Sequence, residues 1–255
     1  MIIAFNLYCK IPFSKIHYSN PEIIEMAGII GRSPSSLALK LVNLASLDPA
    51  LRQRNISGMK HGSKSDRLIW DEFNENREEL IYESQIAIAR LKGQPMEDIA
   101  HIEVDDLPAE GNEREAIIMA RVNQSFFRNV VLSSYENQCC ITGIAVPELL
   151  IASHIIPWAK DIKNRLNPAN GVCLNALHDK AFDNGLITIT PDYTIIVSTI
   201  LKKIRNLEAY ERFFLPFNNK KIVLPRKFIP DPEFLLYHNK YVFVDGLQEK
   251  QTILS

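Results

Sequence analysis

The chain has 255 residues, a formal net charge of −1 and 46% hydrophobic residues. This length and composition are typical of a soluble globular protein of about two domains. The sequence contains no internal repeat and no low-complexity tract. Apolar runs stay below the length of a membrane span, so we expect no membrane partner. Four cysteines and the lack of a signal peptide predict a reducing, cytoplasmic location.

Charge is distributed unevenly along the chain. Residues 1–70 hold nine Lys or Arg and four Asp or Glu, residues 71–116 hold four basic and fourteen acidic residues, and residues 117–255 hold sixteen basic and twelve acidic residues. A polyanion binder needs positive charge at its binding face and not in its total. The two basic regions therefore remain compatible with nucleic acid, while the acidic segment by itself is explained by a solvated helix and loop.

Two short helices are predicted near the N-terminus. Asn20 is an N-cap before Pro21, and Ser33 is an N-cap before Pro34. Apolar residues follow each cap at helical spacing, and a Gly-containing turn separates the two segments. This pattern predicts a helix-turn-helix, although a helical hairpin without a binding role has the same pattern.

Basic residues around the second helix are the candidate DNA contacts. Arg32 lies at its start and Lys40 on its polar face, and further basic residues follow in a stretch that reads as a loop. The predicted DNA-binding residues are Arg32, Lys40, Arg52, Arg54, Lys60 and Lys64.

The middle of the chain reads as a connector. Residues 74–91 are predicted to be helical, and residues 105–111 form an acidic stretch with Pro and Gly. A long helix is predicted over residues 113–135, with apolar residues at i+4 spacing. We therefore divide the chain into a helical DNA-recognition domain (1–95), an acidic linker (96–112) and a C-terminal domain (113–255).

The C-terminal domain begins with a predicted strand, loop, strand and helix. An apolar run over residues 149–152 ends at Ser153-His154, and Val172-Cys173-Leu174 suits a second strand. Residues 177–182 suit a short helix that ends at Asn184-Gly185. A hairpin over residues 186–198 follows, turned at Pro191-Asp192. A strand end, a loop and a helix each present one polar side chain here. Three such elements can together form a compact metal site.

Those polar residues occur in the order histidine, asparagine, histidine. His154 precedes Asn170 by sixteen positions, and His178 follows Asn170 by eight. Together with the flanking text Ala152-Ser153-His154-Ile155, Asn170-Gly171-Val172-Cys173-Leu174 and His178-Asp179-Lys180-Ala181-Phe182-Asp183-Asn184-Gly185, this resembles the HNH nucleases, in the branch of bacterial restriction-type endonucleases. The sequence of residues 20–49 also resembles the region that often precedes the HNH domain in this branch.

The resemblance implies a role for each residue of the motif. His154 would be the general base, since a neutral imidazole can take a proton from water near pH 7. Asn170 would brace the loop and orient His154, and His178 would bind the metal. Ser153 stands where many members carry Asp or His as a further ligand, so the remaining shell is open to Ser153, Asp183, the neighbouring Asp179 or water.

The implied cofactor is a divalent metal, with Mg²⁺ expected and Mn²⁺ or Ni²⁺ as alternatives. The chain has no CxxC pair, and adjacent Cys139-Cys140 chelate one tetrahedral ion poorly, so no structural zinc is expected. Cys140 and Cys173 are instead expected to meet as buried thiols.

The sequence thus predicts an α+β protein, with an N-terminal helix-turn-helix-like domain followed by a ββα-metal nuclease domain. Its expected function is metal-dependent hydrolysis of double-stranded DNA in restriction of foreign DNA. The alternatives are a phage or mobile-element nuclease for repair or homing, and a DNA-binding regulator with a degenerate site, which Ser153 keeps open. Double-strand cutting by a single site implies either a homodimer or two sequential nicks.

Overall fold

The computed structural model describes residues 1–53, 63–99, 112–203 and 207–245, and within them the chain forms two compact units. The first unit contains Met1–Glu136 together with Leu166–Pro168 and Arg226–Phe228. The second contains Asn137–Arg165, Ala169–Pro225 and the described residues of Ile229–Ser255. Helices and two small antiparallel sheets make up these ranges, which is the mixed α and β content expected.

The first unit is built from helices, and the second holds the strands. The helices of the first unit are α1 (Ile2–Lys10), α2 (Pro21–Ile29), α3 (Pro34–Ala45), α4 (Pro49–Gln53), α5 (Lys64–Glu75), α6 (Arg77–Lys92), α7 (Met96–Ile99) and α8 (Asn112–Ser134). The helices of the second unit are α9 (Ala176–Asp183), α10 (Leu207–Phe213) and α11 (Pro232–Tyr241). The strands are β1 (Leu150–His154), β2 (Gly171–Asn175), β3 (Ile187–Ile189) and β4 (Ile195–Val197).

Helix α1 forms the centre of the first unit and was not predicted. It packs against α3, α5, α6 and α8, and Phe5, Tyr8 and Cys9 on it are fully or almost fully buried. A helix that is apolar all round lies in a core, and it has no polar stripe from which its period can be read. Its one buried amide is satisfied, because Asn6 Nδ2 donates to Ser84 Oγ at 2.6 Å.

The predicted caps of α2 and α3 are confirmed. Asn20 Oδ1 accepts from the backbone N–H of Glu22 at 2.8 Å, and Ser33 Oγ accepts from that of Ser36 at 3.2 Å. Each bond satisfies one of the amide groups that a helix start leaves without an intrahelical partner.

The prediction of a loop around Lys64 is wrong, because the chain from Lys64 onward is helical. Lys64 begins α5, because Ser63 and Asp66 form a reciprocal capping box in which Asp66 accepts from the backbone N–H of Ser63 at 3.0 Å. The helix predicted over 74–91 is confirmed for residues 77–91 as part of α6, while residues 74 and 75 end α5 and Asn76 separates the two helices.

The helix predicted over residues 113–135 is confirmed as α8. Its expected apolar positions, Ile118, Val122, Phe126 and Val130, are all buried. Helix α8 packs against α1 and α6 and belongs to the first unit. The linker predicted at 96–112 lies largely outside the described residues, and its first four residues form α7.

A short segment from late in the chain completes the first unit. Lys227 is fully buried there, and its Nζ donates to the carbonyl oxygens of Tyr8, Cys9 and Ile11 at 2.7, 2.9 and 2.8 Å. These carbonyls lie at the end of α1, where a helix lacks internal donors and a cation is favoured.

The second unit contains the predicted strand, strand and helix. β1 pairs with β2 antiparallel, and α9 follows β2 directly and packs on both strands. Cys140 and Cys173 are buried free thiols of this unit, and the N–H of Cys140 donates to the carbonyl of Cys173 at 2.8 Å, so their expected meeting in the core is confirmed.

The predicted hairpin is also confirmed, as β3 and β4 with the turn between them. Helix α11 packs against β3 and buries Leu235 and His238. Over the described residues, none of the helices combines the length and apolar character that crossing a membrane requires.

Candidate active site

The candidate site is framed by β1, β2 and α9. The pairing of the strands sets His154, the last residue of β1, opposite Gly171, the first of β2. The Asn175 side chain caps α9 by accepting from the backbone N–H groups of Leu177 and His178, both at 3.1 Å. A strand end, a loop and a helix therefore carry the three motif residues, in the arrangement that the sequence predicts.

His154 is oriented by a backbone carbonyl. Its Nε2 lies 2.9 Å from the carbonyl oxygen of Arg165, and since that oxygen can only accept, Nε2 carries the ring proton and Nδ1 the lone pair. Burial lowers the pKa of His154, while the bond to Arg165 partly restores it. The ring is therefore held neutral near pH 7, which is the form that can accept a proton.

An aromatic and cationic pair lies beside His154. The His154 and Trp158 rings are perpendicular with centroids 5.4 Å apart, and the Arg165 guanidinium lies 5.0 Å from the Trp158 ring centroid. No role was predicted for Trp158. A tryptophan after Pro157 carries no signal by itself, because its position against His154 depends on how the following loop folds.

Asn170 fixes the chain that follows His154. Its side chain is fully buried. Its Oδ1 accepts from the N–H of Ile156 at 2.8 Å, and its Nδ2 donates to the carbonyls of Ile156 and Asn164 at 3.2 and 3.3 Å. The backbone carbonyl of Asn170 also accepts from the N–H of Ile155 at 3.0 Å. These four bonds have the form of the brace that the resemblance implies.

His178 faces the interior of the second unit. It is 4% exposed, and its Nε2 lies 3.0 Å from the carbonyl oxygen of Phe213, which makes Nε2 the protonated nitrogen. Its Nδ1 then accepts from Asn175 Nδ2 at 2.9 Å. Burial lowers the pKa of His178. Both ring nitrogens are thus hydrogen-bonded within the protein.

Asp179 and Asp183 lie four residues apart on one face of α9. Burial raises the pKa of Asp179, and the nearby Ser153 hydroxyl and Lys180 lower it in part. Asp183 is exposed overall. Partial desolvation of its carboxyl nevertheless raises the pKa of Asp183, and the charge of Asp179 adds to that rise. Desolvation is the largest cause of both shifts, and the charge of one carboxylate contributes only to the pKa of Asp183.

Ser153 adds a third oxygen near this pair. It is 2% exposed, and its hydroxyl lies close enough to Asp179 to lower the pKa of that carboxyl. No three His, Cys, Asp or Glu side chains converge as a metal-binding group in the described part of the chain. The available oxygen donors at this face are therefore two carboxylates and a hydroxyl.

The predicted DNA-binding residues differ in their surroundings. Arg32 is exposed in the turn before α3. Lys40 is half-buried and its Nζ lies 2.9 Å from the fully buried carboxylate of Asp66, which puts it in a structural ion pair. Arg52 Nε donates to the carbonyl of Ser46 at 2.7 Å, and Lys64 is exposed in the first turn of α5. Arg54 and Lys60 lie outside the described residues.

Comparison with known proteins agrees with the motif. No curated protein matches the chain. A family model described as HNH endonuclease matches residues 139–190, a segment that includes His154, Asn170, His178 and both strands of the first sheet. The resemblance inferred from residues 140–185 is thereby confirmed, and residues 139–190 carry an HNH endonuclease domain.

Proposed function

We propose that this protein is a divalent-metal-dependent endonuclease that hydrolyses phosphodiester bonds in double-stranded DNA. The observation that carries the proposal is the state of His154, which ends β1 within the matched segment with Nε2 bonded to the Arg165 carbonyl. A histidine held in this tautomer is prepared to take a proton at Nδ1. HNH nucleases act on DNA and generally use a divalent metal, which agrees with the chemistry of this site.

His154 would act as the general base. Its Nδ1 accepts the proton of the attacking water, and the lowered pKa keeps the ring unprotonated at neutral pH. The bond from Nε2 to Arg165 then supports the imidazolium that forms, since the carbonyl oxygen stabilises positive charge on the ring. Asn170 keeps the loop after His154 in place, so that the ring does not need to be reoriented during the reaction.

The residues of α9 fit a hard divalent cation. Asp179 and Asp183 supply two carboxylates, and Ser153 supplies a buried hydroxyl beside Asp179. Mg²⁺ is commonly bound through one or two carboxylates, with water and substrate phosphate completing the shell. Such an ion stabilises charge on the phosphate and on the leaving oxygen. We therefore assign the metal to Asp179, Asp183 and Ser153.

His178 is the alternative ligand, by its position in the motif. For this role its Nε2 would have to lose its proton and leave the Phe213 carbonyl, or its Nδ1 would have to leave Asn175. The hydrogen bonds of His178 instead favour a role in holding α9 against the segment around Phe213.

The first unit is proposed to recognise DNA through α2 and α3. Arg32 is exposed at the start of α3, and residues 1–70 carry an excess of basic residues. A recognition region joined to a nuclease suits restriction of foreign DNA in the cytoplasm. The alternative function is a DNA-binding regulator with a degenerate HNH site. One observation favours it: Ser153 occupies a position where Asp or His would be a stronger metal ligand.

A plasmid assay tests the activity. Supercoiled plasmid is incubated with the protein in Mg²⁺, Mn²⁺ or Ni²⁺, with a chelator arm, and single-stranded DNA and RNA serve as comparison substrates. We expect nicked or linear plasmid only when a divalent ion is present. Binding of DNA without cleavage in all three metals would replace the nuclease with the regulator.

The same assay addresses restriction and the number of copies needed. Sequencing of the cut ends from modified and unmodified DNA libraries should give a preferred sequence whose cleavage depends on base modification. Ends distributed uniformly over both libraries would contradict a restriction role. Linear product that forms without a nicked intermediate would indicate a homodimer, whereas nicked product that precedes it would indicate sequential cuts.

A further inference from the structure

Helix α11 lies outside the matched segment and buries a histidine against the end of α9. His238 has no exposed surface, and its ring stacks on that of Phe182 with centroids 3.7 Å apart and planes within 10°. Phe182 is the residue directly before Asp183 in the last turn of α9. The C-terminal helix thus contacts the element that carries both candidate carboxylates.

The hydrogen bonds of His238 are directional. Its Nε2 lies 3.2 Å from the carbonyl oxygen of Phe182, which can only accept, so Nε2 is protonated. Its Nδ1 accepts from the Thr188 hydroxyl at 2.7 Å, and Thr188 Oγ1 in turn accepts from Asn239 Nδ2 at 2.6 Å. Burial lowers the pKa of His238 to about 4, so the ring is neutral near pH 7 as this pattern requires. The chain of bonds therefore has one direction, from Asn239 to the end of α9.

The chain after α11 contacts the end of α9 from a second side. The N–H of Val244 donates to the carbonyl of Gly185 at 2.9 Å. Gly185 has a φ of +68°, and a Cβ there would lie 2.0 Å from the carbonyl oxygen of Val242, so that only glycine fits. Ser198 Oγ donates to the Val244 carbonyl at 2.6 Å and holds this crossing segment in place.

We propose that His238 is a positioning residue for the carboxylate pair Asp179 and Asp183, acting through its bond to the Phe182 carbonyl. The Phe182 carbonyl lies in the final turn of α9, where it accepts from the N–H of Gly185 at 2.9 Å, and His238 Nε2 adds a second donor at 3.2 Å. That turn separates Asp179 from Asp183, and its geometry sets how the two carboxylates can share an ion. The inference rests on the proposed function, in which this pair holds the metal.

Three substitutions separate the bond from the packing. Gln at position 238 can place an N–H near the position of Nε2, whereas Asn places its amide near Nδ1 and does not reach the Phe182 carbonyl. Phe retains a ring for stacking and has neither hydrogen bond. The variants are therefore His238→Gln, His238→Asn and His238→Phe, each made in the full-length chain.

The first readout is the Mn²⁺ concentration that gives half-maximal plasmid nicking. Loss of a group that orients a metal ligand typically costs roughly 10–100-fold in metal affinity. We expect His238→Asn and His238→Phe to raise the half-maximal concentration by about tenfold or more. His238→Gln should remain within about twofold of the wild type, since it keeps the donor.

The second readout is the rise in melting temperature that Mn²⁺ alone produces without DNA. Binding to the folded state stabilises it in proportion to affinity, so this rise should shrink in the Asn and Phe variants and persist in the Gln variant. A role in packing alone would lower the melting temperature of the metal-free protein and leave the Mn²⁺-induced rise intact.

Several results would overturn the inference. One is a wild-type Mn²⁺ response in both His238→Asn and His238→Phe, and another is an equal loss in His238→Gln and His238→Asn. If the Phe variant does not fold, the comparison of Gln with Asn still decides. A wild-type protein that neither nicks DNA nor gains stability with Mn²⁺ overturns the proposed function and this inference together.

Discussion

His154 takes its orientation from a main-chain atom, so substitutions of neighbouring side chains leave that bond available. The acceptor is the carbonyl of Arg165, eleven residues further along the chain. The residue that completes the arrangement is Asn170, whose buried side-chain amide fixes Ile156 and whose backbone carbonyl accepts from the N–H of Ile155. The reactive nitrogen therefore depends on the fold of the loop between β1 and β2.

Replacing His154 tests its role as the base. His154→Ala should lower the rate of plasmid nicking by ~10²–10⁴ at saturating metal, because the proton acceptor is lost. DNA binding and the melting temperature should change little, since His154 is only partly buried. The matched control is His17→Ala, at an exposed histidine of the first unit, which should cut like the wild type. A His154→Ala protein that cuts at a near wild-type rate would remove the base from this position.

A pair of variants tests which residue holds the metal. Asp183→Asn should raise the Mg²⁺ requirement for nicking with little change in stability, because Asp183 is exposed and loses only charge. His178→Ala should lower the free energy of unfolding by roughly 1–3 kcal/mol, because buried groups of Asn175 and Phe213 lose their partner.

The metal requirement decides between the two assignments. If His178 is the ligand, its variant should show the larger change in Mg²⁺ dependence, and Asp183→Asn should behave like the wild type. The control is Glu208→Gln, at an exposed carboxylate of α10. This variant should have the free energy of unfolding and the Mg²⁺ dependence of nicking of the wild type.

The polar residues of the site could be identified from the sequence, whereas most of their partners could not. The order of His154, Asn170 and His178 is visible in the chain, and Asn175 before α9 has the residue type of a cap. The acceptor of His178, by contrast, is a carbonyl 35 residues away. Every residue has such a carbonyl, so no side-chain pattern can identify the one that is used.

At the level of elements, capping residues predict helix starts well. Asn20 and Ser33 mark α2 and α3 because their side chains bond the first turn locally. The start of α5 has the same kind of signal in Ser63 and Asp66. Helix α1 lacks such a signal, since Met1 makes no side-chain cap bond and the helix is apolar on all sides. Only its packing against four other helices explains it.

The DNA-recognition role of α3 is tested at Arg32. Arg32→Ala should reduce the slope of log affinity against log salt by about one unit if its guanidinium contacts a phosphate. Its stability should stay close to that of the wild type, since the residue is exposed. Lys15→Ala, at another exposed basic residue of the first unit, serves as the matched control.

Lys40 requires a separate interpretation. Lys40→Ala leaves the buried carboxylate of Asp66 without its cation, so a fall in stability is expected together with any loss of binding. Unchanged affinity and an unchanged salt slope in Arg32→Ala, measured by titration with the preferred DNA, would contradict a phosphate contact at the start of α3.

At the scale of the whole molecule, the compact units do not follow the order of the chain. Residues 226–228 belong to the first unit, and Lys227 closes the end of α1 by three hydrogen bonds. Helix α8 belongs to the first unit as well. A functional division at residues 95 and 113 stays a prediction. The sequence could not indicate this arrangement, because a buried lysine looks like any surface lysine until its carbonyl partners are known.

The stability of the protein should depend on pH through His238. Its pKa is about 4 in the fold and 6.5 in an unfolded chain. Between these values the unfolded chain binds a proton that the folded protein excludes, so the free energy of unfolding falls as the pH is lowered from 6.5 towards 4. From pH 7 to pH 5 this one group should remove about 2 kcal/mol.

Comparison of the wild type with His238→Gln isolates that contribution. The raised pKa values of Asp179 and Asp183 act in the opposite direction, because their protonation in the fold favours the folded state as the pH falls. Both proteins contain these two carboxyls, so their contribution drops out when the unfolding free energy of one protein is subtracted from that of the other. Urea titrations at pH 7 and pH 5 should show the wild type losing about 2 kcal/mol more than the variant. If the difference between the two proteins is the same at both pH values, His238 is not held neutral by burial between Phe182 and Thr188.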